Sequence, residues 1–142
     1  DTIKNIVTGI TYRFSAIDAA ELDQCGTGEF SDVHYGQLGQ KFVEDAFYNA
    51  QNVLLVTSGK KDQYGRTLAY FIIDAGKGEE LLQCLEIVNL LAWQTVSFWG
   101  SGSFPPLSDI VAKAAKEVGN PYFMKPWDFK TDGEPCTDEN DM

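Results

Sequence analysis

Two hydrophobic periods alternate along this chain, and their order limits the possible folds more than any other feature. Apolar residues recur every second position in 10–17, 53–57, 68–73 and 95–99, the spacing of a strand with one covered face. They recur every three or four positions in 38–50 and 81–92, the spacing of a helix with one buried stripe. The order β-α-β-β-α-β predicts an α+β domain of ferredoxin-like βαββαβ type, with helices on one sheet face. The other face is then open, lined by Arg13, Ser15 and alternate residues of the central hairpin, and available to a ligand or to a second copy in a homo-oligomer.

Local signals refine the elements. The first strand is expected near 7–17, with Ile10, Tyr12, Phe14 and Ala16 on one side and Thr11, Arg13 and Ser15 on the other. The sequence 18–23 suits a single helical turn before Gly26-Thr27-Gly28. Ser31 or Asp32 can cap the next helix, whose stripe is Leu38, Phe42, Ala46 and Ala50. Val53-Leu54-Leu55-Val56 has the continuous apolar character of a central strand. The polar segment 58–65 joins it to 66–74 as a hairpin. Residues 81–92 are apolar on most sides and predict a buried helix, with Glu79 and Glu80 at its positive end. Segment 94–99 suits a further strand, or a continuation of that helix. Pro105-Pro106, a capping Ser108, the stripe Ile110, Val111, Ala114, Ala115 and Val118, and a closing Gly119 predict an additional C-terminal helix.

A length of 142 residues suits one domain, set at 1–127, followed by an acidic, flexible tail at 128–142. No apolar stretch approaches the roughly 20 residues of a membrane span, so no membrane partner is expected. The chain starts at Asp1 without methionine, which fits removal of a leader, and localisation stays open.

Charge sets the expectation about partners. The net charge is −10, concentrated in 18–45 (seven acids against Lys41) and 128–142 (six acids against Lys130). Such a chain repels phosphate backbones, so direct nucleic-acid binding is not expected, and a basic protein is the natural partner. The leading expectation is therefore a non-enzymatic interaction protein of inhibitor, immunity or accessory-subunit type. Its contacts would come from Trp99, Phe104 and Trp127, with Asp128, Asp132 and Glu134 of the tail. Two alternatives stand beside it: a small enzyme or ligand-binding domain with a pocket between the second helix and the sheet, and a nucleic-acid mimic.

Motifs for catalysis are sparse. His34 is the sole histidine and Cys25 the cysteine next to a glycine turn, so these are the two candidate catalytic side chains. Cys25, Cys84 and Cys136 have no metal-ligand spacing, one histidine cannot build a multi-histidine centre, and neither metal nor cofactor is expected. Segment 128–139 imitates a calcium loop, but Lys130 and Pro135 occupy positions that spoil it. Lys60, Lys61 and Arg66, with Tyr64 between them, form the one locally basic region. The adjoining RTLAYFII is similar to the aromatic third strand of an RNA-recognition module. The glycines of that motif are missing, and the strand aromatics are assigned to the core.

Overall fold

A computed structural model describes residues 2–19, 32–100 and 104–121. Strands β1 (Thr2–Lys4), β2 (Thr11–Phe14) and β3 (Ile17–Ala19) precede helix α1 (Asp32–Asn49). Then come β4 (Asn52–Val56), β5 (Thr67–Asp74), β6 (Glu79–Leu81), α2 (Leu82–Val88), β7 (Ala92–Gln94), the single turn α3 (Val96–Trp99) and α4 (Pro105–Val118).

The sheet is organised around β5. Its sequence TLAYFIID is rich in β-branched and aromatic residues, and Ala69, Tyr70, Phe71 and Ile73 are all buried, so both faces are covered. Strand β2 pairs with its first half in parallel, with Arg13 opposite Leu68. Strands β4 and β6 pair with its second half antiparallel, one on each side. Strand β1 joins the outer edge of β2, giving the order β1-β2-β5-β4, while β3 and β7 form a separate antiparallel pair.

Aromatic packing fixes the layers. Phe14 and Phe71 lie 4.9 Å apart, and Phe47 of α1 meets Phe71 edge-on at 5.5 Å. Leu82 and Ile87 of α2 and Val111 of α4 join the same core. Gln83, fully buried, fills the space between α2 and β5: its Nε2 donates to Ala69 O (3.0 Å) and its Oε1 accepts from Phe71 N (3.3 Å).

The α+β class, the hairpin of β4 and β5, and the C-terminal helix agree with the sequence. The ferredoxin-like order does not. The strand expected at 7–17 is broken at Ala16, whose φ of 70° turns the chain. The alternation then changes phase, so that Phe14 and Ile17 are buried together, and residues 17–19 extend as β3 rather than entering a helical turn. β4 lies at the end of the strand order with Val53 and Leu54 exposed; it is no central strand. The helix expected over 81–92 begins one residue later and stops at Val88, because Leu90 (φ 59°) reverses the chain into β7. Glu79 and Glu80 sit in β6, not at a helix start. Residues 96–99 form a helical turn, not a strand. Ser108 lies inside α4, donating its hydroxyl to Pro105 O at 3.1 Å, and Phe104 occupies the N-cap without a side-chain bond. The acidic tail at 128–142 lies outside the described residues.

Candidate functional site

The register of β1, β2 and β5 gathers cations at one end of the sheet. Paired residues share a sheet face, as do residues two apart in a strand. Thr2 pairs with Arg13, Lys4 with Thr11, and Arg13 with Leu68, so Thr2, Lys4, Arg13 and Leu68 are on one face, with Arg66 two residues before Leu68. A hydrogen bond from Arg66 Nη1 to Thr2 Oγ1 (3.1 Å) spans the three strands. Lys60 and Lys61 are brought to the same end, since Leu68 N donates to Lys60 O (2.8 Å) and Lys61 bridges Thr67. Lys4, Lys60 and Lys61 are all exposed.

The turn preceding β5 is built around Asp62. Its Oδ1 accepts from Tyr64 N and Arg66 N, each at 2.9 Å, and its Oδ2 accepts from Arg66 Nε at 2.7 Å. Asp62 N donates to Arg66 O at 2.8 Å, and Gly65 supplies the left-handed φ of 81° that closes the turn. Burial pushes the Asp62 carboxyl up. The hydrogen bonds from Arg66 and Tyr64, with the Arg66 charge, outweigh that and hold it below the usual aspartate value. The Arg66 guanidinium lies 5.3 Å from the centroid of the Tyr64 ring, which is 74% exposed.

Arg13 is more enclosed. Its Nη1 donates to Phe14 O (2.6 Å), and its Nη2 is 3.6 Å from Oδ1 of the buried Asp18. Arg13 therefore ties β2 to β3 across the Ala16 bend. Arg66, at the rim, is the better placed guanidinium for a ligand.

A second ionisable group occupies the interior. Glu86 of α2 is fully buried, and among the described residues neither carboxyl oxygen has a hydrogen-bond partner. Burial pushes it up to about 7, opposed by the charge of Arg13. Cys84, half-buried beside the core, is likewise raised by burial.

The residues expected to carry function are described only in part. Among the described ones, His34 lies in α1 with its ring 5.4 Å from Tyr35, and Phe104 packs edge-on to Tyr70 at 6.3 Å. The Trp99 backbone belongs to α3. Cys25, Trp127, Asp128, Asp132 and Glu134 lie outside the described residues. Among the described residues no three His, Cys, Asp or Glu side chains come together as metal ligands, and no helix is long and apolar enough to cross a membrane.

Residues 11–117 match the family described as staphylococcal nuclease homologue, and the chain belongs to that family. No curated protein matches the chain. The family is one of OB-fold domains, a nuclease and nucleic-acid-binding fold, rather than a ferredoxin-like one. It overturns two expectations drawn from charge: a non-enzymatic module for a basic protein partner, and the exclusion of direct nucleic-acid binding. The physical reason is that net charge averages over the whole chain, whereas phosphate meets a local field screened over about 8–10 Å. The acids are concentrated in 18–45 and 128–142, away in sequence from the Lys60–Arg66 turn.

Proposed function

We propose that this chain binds single-stranded nucleic acid along the basic end of its sheet and hydrolyses phosphodiester bonds there. The observation that carries the reading is the pairing of a rim guanidinium, Arg66, with the exposed ring of Tyr64. A guanidinium fork suits the two non-bridging oxygens of a phosphate. An exposed ring beside it gives a base a surface to stack on without reading its identity. Lys4, Lys60 and Lys61 continue the positive track.

Hydrolysis is the reaction that the family description supports. Water attacks phosphorus, the new P–O bond forms as an ester P–O bond breaks, and the products are a phosphate monoester and a hydroxyl. Negative charge grows on the non-bridging oxygens during this exchange. A guanidinium already fixed beside them, as Arg66 is by Asp62, stabilises the transition state more than the ground state.

Fluorescence anisotropy with a labelled oligothymidylate tests binding, and denaturing gels of the same mixtures, with and without divalent cation, test cleavage. Four cations engaging a single strand give a salt slope of about −3, or roughly 50-fold weaker binding from 50 to 200 mM salt. Salt-independent binding, or neither binding nor cleavage at low salt, contradicts the reading.

A further inference from the structure

We propose that Asp62 is the positioning residue for Arg66, ordering its guanidinium for phosphate before any ligand arrives; this rests on the nucleic-acid reading above. An arginine offers five N–H donors on a long, rotatable stem. Here Nε is held by Asp62 Oδ2 at 2.7 Å, one donor of Nη1 reaches Thr2 Oγ1 at 3.1 Å, and the Tyr64 ring lies 5.3 Å away. The plane is thereby fixed at two corners, leaving Nη2 and the second Nη1 proton for a ligand. The same carboxylate fixes the backbone through Tyr64 N and Arg66 N, so ring and guanidinium are set by one residue. Ordering that would otherwise oppose association is completed on folding.

The inference has a distinctive sign. Asp62 is an anion in a phosphate-binding patch, and Coulomb's law alone says that neutralising it tightens binding. Positioning says the reverse.

The experiment measures oligothymidylate affinity of the full chain for wild type, Asp62→Asn, Asp62→Ala, Arg66→Ala and the Asp62→Ala/Arg66→Ala pair, with circular dichroism confirming each fold. The expected result is about tenfold weaker binding for either Asp62 variant. No further weakening is expected on top of Arg66→Ala, because Asp62 acts through that residue. The Arg66 Nε–H resonance, observed without ligand, should be protected from exchange in wild type and lose that protection in Asp62→Ala. Equal or tighter binding by a folded Asp62 variant overturns the proposal alone. Absence of binding by the wild type overturns the nucleic-acid reading and the proposal with it. Should Asp62→Ala unfold, Asp62→Asn, which keeps an oxygen for the turn's N–H groups, decides by the same criterion.

Discussion

Two carboxyl groups in this domain have opposite surroundings. Asp62, at the turn before β5, accepts three hydrogen bonds and faces a guanidinium. Glu86, inside α2, accepts none among the described residues and is sealed from water. Burial pushes both upward; only the hydrogen bonds and charge around Asp62 reverse the direction. The contrast teaches how the domain divides its polar groups. At the sheet rim they are organised to hold another charge, while in the interior one carboxyl works against the fold whenever it ionises.

The largest expected effect concerns Glu86. Its folded pKa, about 7, lies above its ordinary 4.5, so the folded state keeps the proton that the unfolded chain gives up. The fold is therefore undisturbed by Glu86 below pH 4.5, loses stability as pH rises toward 7, and loses no more beyond it. At about 1.4 kcal/mol per pH unit, Glu86→Met should exceed wild type by about 3 kcal/mol more at pH 8 than at pH 4.5. Urea melts across this range check it, and parallel curves for the two proteins would erase the contrast with Asp62.

Next in size is Arg66→Ala, expected to weaken oligonucleotide binding by about 2 kcal/mol, near 30-fold, through loss of charge-assisted hydrogen bonds. Its unfolding free energy should still show the Glu86-dependent fall with pH, since Arg66 is not among the charges that act on Glu86. Tyr64→Ala should cost about 1–2 kcal/mol of affinity while Tyr64→Phe retains most of it, as stacking requires the ring and not the hydroxyl. The smallest effect sharpens the interior side. Leu90 holds a φ of 59°, so Leu90→Gly should raise stability by about 1 kcal/mol equally at every pH. A pH-dependent gain there would show that α2 geometry, not Glu86 itself, controls the titration.

The sequence makes some of this legible and hides the rest for identifiable reasons. The β4–β5 hairpin and α4 are readable because alternation, paired prolines and Gly119 mark them. The bends at Ala16 and Leu90 are hidden, since both positions adopt a backbone conformation usually marked by glycine. Missing them merges β2 and the start of β3 into one strand at 7–17 and carries α2 on to Ala92, the first residue of β7. Together with reading 94–99 as a strand, where α3 stands, this produces the ferredoxin-like pattern.

The site is half visible in the sequence. Lys60, Lys61, Tyr64 and Arg66 stand together in the sequence, and Arg13 alternates onto the same face. The net charge of −10 hides them only when it is averaged over the whole chain and not resolved at one turn. The role of Asp62 has a signal too: an aspartate three residues before a glycine is a turn signature, and its side chain can bond backbone N–H groups two or more residues on. The partnership of Arg13 with Asp18 depends on the Ala16 bend and carries no signal in residue spacing.

The most direct test of the central claim is a titration of the ¹⁵N-labelled chain with oligothymidylate at low salt, followed by amide and arginine side-chain resonances. The account predicts progressive shifts confined to Lys60–Leu68 and the paired residues Thr2–Lys4 and Thr11–Arg13, reversed by added salt. Shifts centred on α1 or α4, or a spectrum unchanged by the oligonucleotide, would contradict it.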